Sequence, residues 1–335
     1  MNKKIAYLDF FKFIFSVCIV AIHSELLWNS SFNVNWYVKH LVFRLSVPFF
    51  FVVSGFLLGL KIINNPNAIS IIKKYIRKLM VPYLFWLAIG FPLEFYSKYN
   101  GGVFSTLKVL AKEFLFYPWG ALWYILALIV SVILLSFFCR SQKYNLVLKI
   151  GSILYIFALL SNSYFFIAEK NSHLKNVIEF YTKHFISSRN GIFVGLLLVS
   201  IGIIIAQKYK ENSIPNINKC KVSLIICFII YTIELTVVKN RHYIDDSSLF
   251  VILPLLIYYL VCFIINIKSN EDYSLFRKYS VCIYFCHRPI LAVMMLVFKF
   301  HYGVLCFLFD LFLSLWLSKF LLNSNNKFIK KITLS

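Results

Sequence analysis

Lys12 and His23, eleven residues apart in LDFFKFIFSVCIVAIH, are the first residues of this chain whose types and spacing can do chemistry. On a helix, eleven steps bring a side chain back to within about 20° of its starting direction and carry it about 16 Å along the axis, so the two groups share one face. Imidazole titrates near neutrality when unperturbed, which makes His23 a candidate general base for a hydroxyl. A lysine inside an apolar stretch is a functional-site candidate by default. Each residue also has a plainer reading. Lys12 can snorkel to the inner interface with Asp9, one turn earlier, as its counter-charge, and His23 can make a buried interhelical hydrogen bond. Glu25 could orient His23, but residues two apart on a helix do not face each other.

A second group lies near the C-terminal end, where YSVCIYFCHRPIL places His287, Arg288 and Pro289 inside an apolar block. A His-Arg pair there requires a hydrated cavity or a counter-charge. Either the two line a site with His23, or Arg288 is locked by Glu234, an intramembrane carboxylate that itself needs a partner. A third group, Lys73, Lys74, Arg77 and Lys78 before Pro82, puts four cations within two helical turns. Such a patch suits phosphates, and equally suits a plain anchor against anionic lipid. Arg44 stands at the outer edge of the second apolar block, ahead of Pro48, Ser54 and Gly55; the last two serve close helix packing or open toward a ligand. The seven His are scattered without carboxylates at ligand spacing, and the eight Cys form no CxxC, so no metal is expected.

The elements that must position these groups are membrane helices. Of the 335 residues 60% are hydrophobic and only 14% charged, too few to cover a water-facing surface. The net charge of +22 falls in small groups between apolar blocks and not along one helix or beside a nucleic-acid-binding motif, which argues against a nucleic-acid partner and for membrane lipid. Apolar blocks fall at about 7–27, 42–61, 79–97, 121–139, 147–166, 190–206, 221–238, 249–266, 279–298 and 303–322. The expected fold is therefore all-α, a polytopic membrane protein of about ten transmembrane helices forming one membrane domain over 1–335 with no soluble domain. Lys and Arg are commoner in the segments that share a side with the N-terminus, including Lys3 and Lys4, so both termini are expected in the cytoplasm. No cleavage site follows the first block, which reads as a retained helix. The two longest outer connections are about 98–120 and 167–189; the first is amphipathic enough to form a short interfacial helix. Trp119, Trp123 and Tyr124 read as an aromatic belt, and Asp245 and Asp246 as outer-face acids.

Taken in order, these blocks resemble acyltransferase family three, multispanning bacterial proteins that O-acylate cell-surface and exported carbohydrates. The basic residue, ten positions and His of that family's first helix look like Lys12 and His23. Arg44 with PFFFVVSGFLL resembles the next block, and the basic run before Pro82 looks like the family's cytoplasmic cluster, with Lys at several positions where Arg is usual. LWYILAL, SRNGIFVG and YSVCIYFCHRPI resemble later blocks. The resemblance implies a bacterial inner-membrane enzyme. Acetyl-CoA or another acyl-CoA would be the donor, its phosphates near Lys74, Arg77 and Lys78, with Arg44 and Lys12 as further contacts. His23 would be the base, and His287 or Arg288 would stabilise oxyanion charge. The acceptor would be a surface glycan or lipid-linked saccharide, with cell-envelope biosynthesis proteins as partners. Some members carry an extracytoplasmic domain, which here would have to be a separate partner, since the chain ends shortly after its last block. The sequence also resembles the membrane portion of the serine racemases of glycopeptide resistance, whose proposed task is moving serine across the membrane. A small-solute transporter and a noncatalytic subunit of a glycan export complex are the other readings.

Overall fold

The computed structural model describes residues 5–99, 101–241, 247–268 and 270–334; Lys3, Lys4, Asp245 and Asp246 lie outside them. Every regular element among the described residues is helical. In chain order these are α1 (Ala6–His23), α2 (Phe32–Leu41), α3 (Ser46–Ile62), α4 (Ala68–Lys98), α5 (Val103–Phe116), α6 (Trp123–Ser136), α7 (Tyr144–Leu160), α8 (Phe165–Ala168), α9 (Ser172–Phe185), α10 (Leu196–Lys210), α11 (Ile217–Arg241), α12 (Leu253–Asn266), α13 (Ser274–Leu296), α14 (Val304–Leu322) and α15 (Lys327–Ile332).

Among the described residues, seven segments are long and apolar enough to cross a membrane: α1, the run Phe32–Ile62, α4, Gly191–Lys210, α11, α13 and α14. The other three expected blocks form the apolar helices α6, α7 and α12, of 14, 17 and 14 residues. At 1.5 Å per residue these reach about 21–26 Å, short of a hydrocarbon layer of about 30 Å. The long connections carry α5 and α9, and α5 exposes Val103, Phe104 and Leu115 as an interfacial helix would.

The side-chain distribution suits lipid as solvent. On α14, Cys306, Asp310, Ser314 and Ser318 recur every four residues and are buried, while Leu305, Leu308, Phe312, Trp316 and Phe320 point outward. Small and polar groups face protein because lipid tails give large apolar side chains no reason to turn inward, and small residues let helices approach.

By proximity the chain forms two compact units: Met1–Ser46, Arg77–Ile125 and Lys268–Ser335 make the first, and Val47–Ile76 with Leu126–Ile267 the second. In the second unit, Gly55 and Gly59 of α3 face Val199 and Ala206 of α10, and a Cβ on Gly202 would strike the Val52 carbonyl. Packing, the plainer reading of Ser54-Gly55, is what Gly55 serves. Asn190 accepts from the amides of Ile192 (2.9 Å) and Phe193 (3.2 Å), capping a π-helical turn over Gly191–Gly195. Ser131 Oγ donates to the Gly191 carbonyl (2.9 Å), so SRNGIFVG is built for close packing.

Several sequence expectations change here. Glu234 does not lock Arg288: its carboxylate accepts from the Tyr164 hydroxyl and from the amides of Val251 (2.5 Å) and Ile252 (3.1 Å), fastening the entry to α12. Pro48 falls in the first turn of α3, just after the 3₁₀ turn Phe43–Leu45 that interrupts the run Phe32–Ile62, and Pro254 in the first turn of α12; neither position needs an intrahelical donor. Pro82, expected at the start of a span, lies well inside α4.

Candidate functional site

The candidate site belongs to the first unit and is organised by α1 and α13, which run side by side in the same direction. Tyr7 meets Tyr273 (5.6 Å between ring centroids) and Phe13 meets Phe276 (5.1 Å) toward one end. Next, Ser280 Oγ donates to the Lys12 carbonyl at 3.0 Å. At the far end the imidazole of His23 stacks on that of His287, with centroids 5.4 Å apart and planes 29° off parallel. Thus two histidines far apart in the chain form one pair.

His23 is the last residue of α1, and the turn after it is pinned. The Ser24 amide bonds to the Val20 carbonyl (2.9 Å), and the Ser24 carbonyl accepts from the Gly303 amide (3.1 Å). Gly303 holds φ at +126°, a conformation closed to residues bearing a Cβ except at strain. His287 is fully buried. Its Nδ1 lies 2.9 Å from the Ile283 carbonyl and therefore donates to it, which leaves Nε2 of the neutral ring as a bare acceptor. That Nε2 has no hydrogen-bond partner among the described residues. A neutral ring so oriented accepts a proton and cannot donate to an oxyanion, so of the two oxyanion candidates Arg288 is the one that carries donors for the task.

The charges of Arg288, Arg44 and Lys39 all lie near enough to act on the His23 ring. Arg44 sits in a 3₁₀ turn, Phe43–Leu45, against α1 and near His23. Lys39 is held by Glu25, whose two oxygens stand 3.0 and 3.2 Å from its Nζ. Glu25 therefore serves Lys39 and not His23; its own φ of +47° turns the chain away just after α1.

Lys12 occupies the other end of α1. Its Nζ is 3.0 Å from Asp9 Oδ1, the partner expected in the plainer reading, and Asp9 Oδ2 also takes Arg277 at 3.2 Å. Lys12 and His23 thus share a helix but meet different partners. Lys73, Lys74, Arg77 and Lys78 are all exposed along the first turns of α4.

Arg288 follows His287 by one residue, about 100° around α13, and faces a small pocket of about 40 Å³. Trp86, Glu94, Trp119, Gly120 and Tyr284 line it with Arg288. The Tyr284 hydroxyl donates to the Ala121 carbonyl and steadies the Trp119-Gly120 turn. Gly120, at φ +65°, lies under the Arg288 side chain. Trp119, expected in an aromatic belt, lays its indole edge against Gly90 in this pocket.

One residue with functional potential escapes a sequence reading centred on basic groups. Asp310 is fully buried in α14, takes a hydrogen bond from Ser314 (3.3 Å), and leaves Oδ2 without a partner among the described residues. A carboxylate inside FLFDLFLSLW was the available signal.

Fold and site together define a multi-pass membrane protein with a paired-imidazole centre surrounded by cations. Its family follows from comparison: the model of an acyltransferase domain, Acyl_transf_3, matches residues 5–322, and the chain belongs to that family. The chain is also 26% identical to an amino-acid racemase of Enterococcus faecalis, over 98% of this chain and 47% of the relative. It is 25% identical to a serine/alanine racemase of Enterococcus gallinarum, over 87% of this chain and 41% of the relative. The chain thus spans less than half the length of the curated relatives it matches. No solved structure matches it.

Proposed function

We propose that the protein is an O-acyltransferase of the bacterial cytoplasmic membrane that moves an acetyl or other short acyl group from cytoplasmic acyl-CoA to a hydroxyl of a cell-surface glycan or lipid-linked saccharide. The observation that carries the reading is the stacked His23–His287 pair with a bare, buried Nε2 and cations around it. Ten spans with both termini inside would put donor and acceptor on opposite sides of one site. The acceptor hydroxyl gives its proton to His23 as its oxygen forms a bond to the thioester carbon. Charge then collects on the former carbonyl oxygen, where the guanidinium of Arg288 opposes it. Collapse breaks the carbon–sulfur bond, and the thiolate leaves with the proton that His23 returns. His287 fixes the plane of His23 by stacking and offers a second proton acceptor. Lys74, Arg77 and Lys78 are the proposed phosphate contacts of the donor, and Lys12 with Asp9 and Arg277 steadies α1 between.

A second reading, uptake of a small amino acid such as serine, draws support from the racemase names of the relatives. The pocket adds to it, since Arg288 and Glu94 present opposite charges of the kind a zwitterion requires. Labelled acyl transfer from acetyl-CoA to extracted surface glycans, measured in proteoliposomes, decides between them. Transfer that falls at least about a hundredfold in His23→Ala, and more modestly in His287→Gln, is the expected result. Serine uptake without any transfer would replace the enzyme reading.

A further inference from the structure

The end of α15 and the residues after it make contacts that neither the family nor the histidine pair accounts for. α15 lies along the first-unit part of α4, with Phe328 edge-on to Phe85 at 5.6 Å. At its end the chain turns inward: Ile332, the last residue of α15, and Thr333 are only 3% and 2% exposed. The Ile332 carbonyl accepts from the indole N–H of Trp86 at 3.4 Å, and the Leu334 carbonyl accepts from Lys78 Nζ at 3.3 Å. Trp86 is also a wall of the Arg288 pocket and stacks on Phe285, 6.1 Å away with planes 9° apart. One indole therefore has its ring against the pocket lining and its N–H on the C-terminal segment.

Lys78 and Trp86 are eight residues apart, about 12 Å of helix. This stretch of α4 starts at exposed cations, donates to carbonyl oxygens at two points and ends at the pocket that holds Arg288. The arm of an acyl-CoA has the matching order: phosphate, then two secondary amides with carbonyl acceptors, then the thioester. We infer that the α4 track from Lys78 to Trp86 is the seat of the donor's amide-bearing arm, and that Ile332–Leu334 fill it as an internal plug which the donor must displace. The inference rests on the acyl-CoA reading and adds to it a donor-positioning residue, Trp86, and a built-in competitor. Two peptide carbonyls on the donors an incoming amide would use are the substance of the competition. While the plug is seated, the apparent donor affinity is lowered by the fraction of molecules in which the track is closed.

The test uses the full chain in detergent with Thr333→Cys, a near-isosteric change. All eight native cysteines are buried, so wild type supplies the blank. Binding of radiolabelled acetyl-CoA is followed by equilibrium dialysis, and reaction of the introduced thiol with a polar maleimide is timed with and without acetyl-CoA, which carries no free thiol. Binding accompanied by labelling that quickens at least about fivefold is the expected outcome. Trp86→Phe in the same background should quicken labelling without donor, because it removes the N–H and keeps the ring. Leu334→Cys repeats the measurement if Thr333→Cys does not fold. Binding with unchanged or slower labelling overturns the plug while leaving the donor reading intact. Absence of any acetyl-CoA binding overturns the donor reading, and the plug with it.

Discussion

At the scale of single residues, the site separates groups that hold structure from groups left available. Asp9 accepts two cations, Lys12 and Arg277, and Glu25 accepts Lys39, so two of the acids near α1 are committed to ion pairs. His287 Nε2 and Asp310 Oδ2, both buried, have no partner among the described residues. Leaving buried polar atoms unpaired costs on the order of 1–3 kcal/mol each, which a stable fold tolerates where the atom has work to do. The Lys12–Asp9 pair gives a direct test of its structural part. Asp9→Asn strands a largely buried ammonium and should lower unfolding stability by roughly 2 kcal/mol, whereas Lys12→Met removes the charge and should cost less. The double variant should recover part of the loss. Thermal unfolding in detergent reads all three, and equal losses from both single changes would contradict a pair whose main role is to neutralise Lys12.

At the scale of elements, helix contacts are made by residues that a soluble protein would leave elsewhere. The α3–α10 crossing depends on Gly55, Gly59 and Gly202, whose missing side chains let backbones approach. Glu234 spends its carboxylate on the start of α12, replacing intrahelical partners that the first amides of a helix lack. Gly202→Leu should therefore prevent accumulation of folded protein, and Glu234→Ala should cost roughly 2–3 kcal/mol, since it strips the acceptor from the Tyr164 hydroxyl and two amides. Size-exclusion profiles and unfolding temperatures measure both. Full stability of Glu234→Ala would return this acid to the pool of functional candidates. The parallel course of α1 and α13 has the complementary role: with rings zipped at one end, the opposite ends arrive level, and His23 meets His287.

At the scale of the whole chain, composition and charge decide the medium. Outward-facing rows such as Ile225, Ile229 and Ile233 on α11 would be untenable in water at this density. The excess of Lys and Arg on one side of the expected spans is the ground for the proposed orientation, with both termini inside. A phosphatase reporter inserted at Asn65, between α3 and α4, should be inactive, and one inserted between α5 and α6 at Pro118 should be active. The reverse pattern would invert the proposed topology and move the Lys78 end of α4 outside, where acyl-CoA is not made.

The sequence by itself determined that this is a helical membrane protein. It also showed where its apolar blocks fall, because hydropathy over some twenty residues is a local property that bilayer thickness reads directly. It named His23, His287, Arg288 and the Lys74, Arg77 and Lys78 run, because ionisable groups in apolar surroundings stand out one at a time. It could not show that His23 stacks on His287 while Arg288 beside them faces a small pocket, that Glu234 belongs to α12, or that Ile332 reaches Trp86. Each of those depends on two segments distant in the chain meeting at one register. Pairing across such distances is set by the sum of many small packing contacts, and no local spacing records it. Asp310 is the intermediate case: its identity was legible, and only the tertiary structure placed it on the buried stripe of α14.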